Sequence, residues 1–214
     1  MSYIICGFYT PDYAHWLPAL RASLDAVGAP HDFVETPKVA GSWETNTMRK
    51  AAEVLAAMDR HPDKVIIFLD VDCVVRGDLS PLARVNGDVA FYVRTRRRKS
   101  GGAPRFGVRS GTLVIRPTPA ARKFVETWAA LSSAGHYGDV DQTTMMLAIG
   151  LTPGVCFTPL EHKWCAAPSD GTVAGAVILH DSASADITKI GKLRRFLYRF
   201  APWLVAREPQ PYVS

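Results

Sequence analysis

One stretch of the sequence constrains the fold more than any other. Five apolar residues, at positions 65–69, run directly into Asp70-Val71-Asp72. A short β-branched and aromatic run of this kind predicts a buried strand in the centre of a sheet. Its end places two carboxylates one residue apart, at the edge where open α/β sheets form their ligand crevice. The alternative interpretation is a solvated strand end that carries two surface acids.

The segments around this strand predict an α/β fold. Before it, strands end near Thr10 and Glu35, and helical apolar patterns cover residues 17–27 and 48–58. This order of strand, helix, strand, helix and strand is typical of parallel strands with helices on both faces of the sheet. After it, the sequence predicts strands at 89–93, 108–115 (interrupted by Ser110-Gly111), 155–157 and 176–179, a helix capped by Thr118, and a helix at 143–149.

Length and composition fit one globular domain. The 214 residues, 48% hydrophobic and 21% charged, are enough for one full core. The net charge of +5 suits an anionic partner such as a nucleotide, a membrane or a nucleic acid. The four cysteines have no Cys-x-x-Cys spacing, which favours a reducing cytosol over a disulfide framework. Because signal-peptide and membrane-span patterns are missing from the sequence, we expect a cytoplasmic protein.

Polar groups of compatible chemistry stand at three segment ends. They are Asp70 and Asp72, the segment 139–142 with Asp141 and Gln142, and His180. Carboxylates and an imidazole can form one divalent-metal site whose remaining positions are filled by a diphosphate. The alternatives are a structural histidine, and Asp141 as N-cap of the helix that follows. A helix N-terminus there would also bring Gln142 close to an anionic ligand.

The ordered set of motifs resembles the GT-A type glycosyltransferases, which have the nucleotide-diphospho-sugar transferase fold. The strand that ends in D-x-D comes first. It is followed by the segment Arg109–Thr118, with Trp128 in the next helix. The order is completed by the D-Q pair at 141–142 and by His180. The chain is most similar to glycogenin-like and bacterial lipopolysaccharide sugar transferases. This resemblance implies a single Rossmann-like α/β domain over residues 1–189, with a mixed central sheet flanked by helices.

The resemblance also implies a metal site. Asp70, Asp72 and His180 would hold Mn²⁺ or Mg²⁺, and Asp70 would lie beside the nucleotide as well. The family's late H-x-x-G-x-x-K-P-W signature is degraded here, because Asp181 to Ser184 follow His180 without its glycine. This departure weakens the metal role of His180 and any assignment to one subfamily.

Further residues are expected to face the donor. Thr10 and Lys50 would contact the nucleotide, although Arg49 competes with Lys50 for this position. Asp141 and Gln142 would lie by the sugar as the catalytic pair, which favours transfer with retention of configuration. The resemblance therefore implies a metal-dependent glycosyltransferase that uses a nucleotide-diphosphate sugar, in the first instance a UDP-sugar, and a carbohydrate or lipid-linked acceptor.

Two other functions remain open at this point. The segment Asp70–Val74 also fits the D-x-D-x-(T/V) pattern of haloacid-dehalogenase phosphatases, in which Asp70 would be the nucleophile. The motif comes late in the chain for that family. A non-catalytic nucleotide-sugar or carbohydrate-binding module is the other alternative. A rise in melting temperature with UDP and Mn²⁺ would favour the transferase. Hydrolysis of a generic phosphate ester would favour the phosphatase.

Two basic segments have both a plain and a functional interpretation. Arg94–Lys99 is either a solvated loop or a lid over a diphosphate, and the lack of interleaved aromatics argues against nucleic acid. Residues 190–214 predict a basic amphipathic helix and a tail, which either dock on the domain or lie on an anionic membrane. The second possibility would make the protein peripheral on the cytoplasmic face of a membrane.

Overall fold

A computed structural model describes residues 2–39, 43–96, 103, 105–135, 140–170 and 173–180. The strands are β1 (Tyr3–Tyr9), β2 (His31–Glu35), β3 (Val65–Leu69), β4 (Cys73–Val75), β5 (Val89–Arg96), β6 (Arg105–Ile115), β7 (Phe157–Pro159) and β8 (Ile178–His180). The α-helices are α1 (Leu17–Ala26), α2 (Trp43–Met48), α3 (Lys50–Arg60), α4 (Ser80–Ala83), α5 (Pro119–Ser133) and α6 (Asp141–Leu151). Short 3₁₀ turns cover Pro11–Trp16, His162–Trp164 and Pro168–Asp170.

Six of the strands form one mixed sheet, in the order β2-β1-β3-β6-β5-β7. The first three strands of the chain pair in parallel, whereas β6 runs antiparallel to both β3 and β5. The strands β4 and β8 form a separate antiparallel pair. The predicted mixed α/β sheet is therefore confirmed, and its parallel half is the half that the strand–helix repeat indicated.

The core lies on both faces of β3. All five residues of that strand are buried in it. Ile67 and Leu69 pack with α1 on one face, and Ile66 and Phe68 pack with α3 and α5 on the other. Burying side chains of this size stabilises a fold by roughly 1.5–3 kcal/mol each. A strand buried on both faces is central in its sheet, as the apolar run at residues 65–69 predicted.

The predicted interruption of the sixth strand is a bulge inside a continuous strand. Phe91 of β5 pairs with Leu113, but its neighbour Tyr92 pairs with Arg109, so residues 110–112 of β6 have no partner on β5. Extra residues in one strand bend it and redirect its side chains. Here the bulge carries Ser110, Gly111 and Thr112, which all contact residues of the site described below.

Helix ends differ from the sequence expectation at two places. The 48–58 pattern is broken by a turn at Arg49, which separates α2 from α3. Asp141 is not an N-cap, because Val140 takes that position and Asp141 is the first helical residue. The Asp141 carboxylate is instead engaged by groups from other elements. The predicted cap at Thr118 is confirmed, since its hydroxyl accepts a hydrogen bond from the Ala121 amide at 3.1 Å.

Several expectations fall on segments that the structure does not describe. Residues 97–100 of the basic segment lie outside the described residues, as do Asp139 and the whole of residues 190–214. The described part of the basic segment belongs to β5 rather than to a loop. Among the described residues, no helix has the length and apolar character needed to cross a bilayer.

Candidate active site

A cavity of about 320 Å³ opens where β1 and β3 end. This volume lies within the range of about 300–1,000 Å³ that is typical of small-ligand sites. The structure places all seven sequence-predicted site residues around it: Thr10, Lys50, Asp70, Asp72, Asp141, Gln142 and His180. Residues that are far apart in the chain thus meet at the edge of the sheet where the sequence predicted a ligand crevice.

Lys50 forms the centre of a buried ion network on one side of the cavity. Its Nζ lies 2.8 Å from Asp70 Oδ1 and 2.9 Å from Asp141 Oδ2. The same ammonium donates to Ser110 Oγ at 3.2 Å. Burial alone would lower the pKa of Lys50, but the Asp141 and Asp70 carboxylates outweigh it and raise the pKa. The side chain therefore stays charged in the interior.

Arg49, the competing basic residue, turns away from this network. Its guanidinium donates to the Pro37 carbonyl and lies 3.3 Å from Glu53 Oε1. Because α3 begins at Lys50, the two side chains leave the backbone in different directions. The structure thus places Lys50, and not Arg49, beside the D-x-D carboxylates.

The start of α6 is fixed by contacts from two other elements. Ser110 Oγ donates to Asp141 Oδ2 at 2.5 Å, and Trp128 Nε1 donates to the Asp141 carbonyl at 3.0 Å. The indole nitrogen also lies 3.2 Å from Thr144 Oγ1. These contacts hold Asp141 3% exposed, whereas the next residue, Gln142, is exposed at the cavity. The D-Q pair therefore presents one buried carboxylate and one accessible amide.

Asp72, Cys73 and His180 form a cluster of potential metal ligands, of which Asp72 and His180 line the cavity. One ligand atom of each lies within 4.8 Å of the others. Cys73 and His180 stand opposite each other in the β4–β8 pair. Burial lowers the pKa of His180 to about 4, so its imidazole is neutral at pH 7 and keeps a lone pair for a metal ion.

The absence of a side chain at Gly111 brings Asp70 close to His180. A Cβ at this position would lie 2.6 Å from His180 Cε1, 2.8 Å from His180 Nδ1 and 3.1 Å from Asp70 Oδ2. Carboxylate and imidazole groups thus converge on a space that any other residue would fill. Oxygen and nitrogen donors in this arrangement fit a divalent cation, which Asp72 and His180 could hold with Asp70 beside them.

The third wall of the cavity is formed where β1 ends. Thr10 is 6% exposed, and its hydroxyl donates to Asp12 Oδ1 at 2.6 Å. The Tyr13 hydroxyl is buried and has no hydrogen bond of ordinary geometry to any described residue, and burial raises the pKa of this tyrosine. Tyr13 and Trp43 line the cavity here, so this wall offers flat aromatic surface beside the polar end of the strand.

Sequence reasoning missed the role of Arg109. Its guanidinium binds both oxygens of Asp170, at 2.6 and 2.5 Å, and donates to the Cys165 carbonyl at 3.0 Å. Arg109 holds the pKa of Asp170 well below its usual range. This pair fastens the segment that carries Cys165 and Ala167 to the cavity wall. The arginine was visible in its motif, but no local signal marked Asp170 as its partner.

No protein-family model matches the chain, and no curated protein matches it. Solved structures do. A glycosyltransferase involved in glycosylation of the major capsid of PBCV-1 is similar with a TM-score of 0.64 at 13% identity, over 90% of this chain and 100% of that one. The galactosyltransferase LgtC, solved with donor and acceptor sugar analogues, is similar with a TM-score of 0.56 at 14% identity, over 97% and 98%.

The glycosyltransferase GlyE of Streptococcus pneumoniae is similar over a smaller share of its length. The TM-score is 0.51 at 14% identity, and the match covers 84% of this chain and 54% of that one. At such identities the likenesses establish the fold. The chain therefore has the GT-A fold, and the resemblance that its motifs indicated is confirmed.

Proposed function

We propose that the protein is a metal-dependent glycosyltransferase that moves a sugar from a nucleotide-diphosphate donor, a UDP-sugar in the first instance, to a carbohydrate or lipid-linked acceptor. One observation carries the proposal. The Lys50–Asp70–Asp141 ion network lines one cavity together with Asp72 and His180, which cluster with Cys73, in a fold shared with solved glycosyltransferases.

The donor diphosphate would lie against the Asp72 and His180 side of the cavity. A bound Mn²⁺ or Mg²⁺ there supplies electrostatic stabilisation to the diphosphate as the bond to the sugar breaks. His180 offers a neutral ring nitrogen, and Thr112 Oγ1, 2.9 Å from Nε2, fixes the orientation of the ring. Asp70 and Asp72 supply the oxygen donors that such cations prefer.

Lys50 supplies a positive charge that is already in place before the donor binds. Its ion pairs fix the Asp70 and Asp141 carboxylates, so these groups need no reorganisation during the reaction. Thr10, at the end of β1, and the aromatic wall beside it would receive the nucleoside. This division puts the nucleotide at the strand ends and leaves the mouth of the cavity for the sugar.

Gln142 is the accessible polar group closest in sequence to the buried network, and we assign it to the sugar. A transfer with retention of configuration needs no carboxylate base at the acceptor hydroxyl, and the amide oxygen of Gln142 can stabilise an oxocarbenium-like centre. Asp141 would position this amide through the first turn of α6. LgtC has a glutamine in its active site, which supports the assignment of Gln142.

Calorimetric titration of UDP tests the nucleotide and metal site. We expect Mn²⁺ to tighten UDP binding to the wild type. In the presence of Mn²⁺, Asp72→Asn should bind UDP at least about tenfold more weakly than the wild type, since a charged ligand of the cation is lost. Asp59→Asn is the matched control, because Asp59 is exposed, lies outside the cavity lining and pairs with Arg122 at 2.7 Å. Equal UDP affinity with and without Mn²⁺ in all three proteins would refute the proposed metal site.

Hydrolysis of a panel of nucleotide sugars tests the transfer chemistry. Gln142→Ala should lower the hydrolysis rate with little change in UDP affinity, whereas Thr143→Ala, at the next exposed position of α6, should leave both unchanged. The rival functions give different results. A phosphatase would hydrolyse a generic phosphate ester and lose that activity in Asp70→Asn, and a binding module would bind the nucleotide sugar without turnover.

A further inference from the structure

The buried Cys73 thiol lies next to Asp72 and His180, which line the cavity. We propose that Cys73 Sγ ligates the metal together with these two residues, which makes the site selective for a thiophilic cation such as Zn²⁺ or Co²⁺ over Mg²⁺. This inference rests on the proposed function and specifies its metal. The three ligand atoms all lie within 4.8 Å of one another, and Cys73 is 2% exposed.

The separation of the sulfur and the imidazole suits a shared ion. Cys73 Sγ lies 3.1 Å from His180 Nδ1 and 3.7 Å from Nε2. A four-coordinate zinc ion, with about 2.3 Å to sulfur and about 2.0–2.1 Å to nitrogen, separates these two ligands by roughly 3.5 Å. The pair is therefore within a few tenths of an ångström of a ligating geometry. Ligation replaces the thiol proton by the cation, and the proton passes to solvent.

The groups around the imidazole leave the nitrogen next to the sulfur available. Thr112 Oγ1 contacts Nε2 at 2.9 Å, the arrangement in which the second ring nitrogen of a metal-bound histidine is usually held. Nδ1 then faces Cys73, and Gly111 leaves that edge of the ring open. The backbone pairing of Cys73 with His180 across β4 and β8 fixes both residues at this distance.

The donor set itself determines which cations fit. One carboxylate, one imidazole and one thiolate, with a further position open to the cavity, match the three-ligand sites in which zinc keeps a place for substrate. Mg²⁺ requires near-octahedral oxygen coordination and makes no favourable bond to sulfur. An aspartate–histidine pair alone would not discriminate in this way, so Cys73 is the residue that sets the preference.

A second group of possible ligands, Cys6, Asp32 and His61, lies away from the cavity. Its carboxylate is already engaged, because Asp32 Oδ2 is 2.9 Å from Arg60 Nε and 2.9 Å from His61 Nε2. A cation would have to displace the guanidinium of Arg60. This group is therefore the internal control for the proposed site.

Titration of the full chain with Co²⁺, in the absence of nucleotide, tests the proposal by absorption spectroscopy. We expect one equivalent of Co²⁺ to produce a thiolate-to-cobalt charge-transfer band in the near ultraviolet. Cys73→Ser should abolish the band, whereas Cys165→Ser and Cys6→Ser should retain it. Zn²⁺ should displace the Co²⁺, and a large excess of Mg²⁺ should not. Zn²⁺ affinity should fall at least about tenfold in Cys73→Ser.

Bound Co²⁺ without a charge-transfer band in the wild type would overturn the proposal, and this measurement needs no folded variant. A band that persists in Cys73→Ser but disappears in Cys6→Ser would also overturn it. The outcome for the proposed function is separate. If Mn²⁺ tightens UDP binding while no thiolate band forms, the transferase proposal stands and Cys73 is not a ligand. If the band forms but UDP does not bind, Cys73 is a metal ligand and the transferase proposal is contradicted.

Discussion

The two sides of the cavity balance charge in opposite ways. On the lysine side, Lys50 lies between Asp70 and Asp141, so the counter-charge belongs to the fold. On the metal side, Asp72 shares its cluster with two groups that are neutral at pH 7, because burial lowers the pKa of His180 to about 4 and raises the pKa of Cys73 well above its usual value. The lysine side is a completed ion network, whereas the other side groups three side chains of the kinds that can hold a cation.

This contrast separates the expected effects of substitutions. Changes on the lysine side should lower folding stability whether or not a metal is present, since they leave a buried charge uncompensated. Changes on the metal side should act mainly on cation and nucleotide binding. Each prediction below tests one half of this division.

Replacing Lys50 by Met should produce the largest effect. We expect the free energy of unfolding to fall by about 3–5 kcal/mol, because the buried Asp141 carboxylate and the half-buried Asp70 carboxylate lose their cation. The folded-state pKa of Lys50 is raised, so its contribution is fully present below the unfolded-state pKa of about 10.4 and is lost only as the pH rises above that value. Chemical denaturation at pH 7 measures the loss.

Lys38→Met is the matched control for this experiment. Lys38 also pairs with an aspartate, Asp12 at 2.7 Å, but its side chain is 56% exposed. An exposed pair contributes about 0–1 kcal/mol, so the control should remain close to the wild type. Similar losses in the two variants would contradict the view that the lysine side is a completed part of the core.

Acid should destabilise the protein through the metal side. The unfolded chain protonates His180 from about pH 6.5 downward, whereas the folded protein, with its lowered pKa, resists protonation until about pH 4. The free energy of unfolding should therefore fall as the pH decreases across this window, by about 3 kcal/mol for this residue alone. Unfolding is followed with EDTA present, so that no cation contributes.

His180→Gln isolates this dependence, because glutamine does not titrate. The difference in the free energy of unfolding between wild type and variant should change between pH 6.5 and 4 and stay constant above pH 7. Asp170 adds a second dependence, but its pKa is lowered, so that stability is lost only at more acidic pH. Parallel curves for wild type and variant between pH 6.5 and 4 would show that His180 is not buried in neutral form.

The sequence predicted the elements whose signal is local. The apolar run at 65–69 and the polar residues that follow it indicate a central strand and a site at its end, whatever the rest of the chain does. The positions of Asp70, Asp72, Asp141, Gln142 and His180 around one cavity follow from strand ends and helix starts meeting at one edge of the sheet. Their chemical roles remain predictions.

What the sequence did not predict depends on long-range pairing. Arg109 and Asp170 are 61 positions apart, and nothing near Asp170 marks it as the partner of a half-buried arginine. Asp141 was expected to cap its own helix. Its carboxylate instead binds Lys50 and Ser110, which the fold brings next to it. Propensities describe a residue's neighbours in the chain and not its neighbours in space.

A single methyl group at Gly111 should disturb the metal side selectively. Gly111→Ala would place a Cβ 2.8 Å from His180 Nδ1, so we expect the imidazole to move, divalent-cation affinity to fall at least about tenfold, and stability to fall by about 1–3 kcal/mol. Gly107→Ala lies on the same strand, and its new Cβ would have no atom of the described residues within 4 Å apart from its chain neighbours. Cobalt titration and thermal unfolding of both variants should differ, and indistinguishable results would show that the site does not need the space at residue 111.

Trp128→Phe should have the smallest effect on stability and should test the link between α5 and the D-Q pair. The change removes the indole N–H that binds the Asp141 carbonyl at 3.0 Å. Because Thr144 Oγ1 still donates to that carbonyl at 3.1 Å, the loss should be about 0.5–1.5 kcal/mol. Since Trp128 holds the first turn of α6, nucleotide-sugar hydrolysis should fall while cobalt affinity stays the same.

Phe124→Leu provides the comparison that makes this last result interpretable. Phe124 lies on the same buried face of α5 and stacks on Trp128 at 6.2 Å between ring centroids, but it has no polar atom to lose. It should lower stability through packing and leave the position of Asp141 unchanged. If hydrolysis falls equally in both variants, the indole hydrogen bond does not position the D-Q pair, and α5 supports the lysine side through packing alone. If it falls only in Trp128→Phe, the tryptophan is a positioning residue.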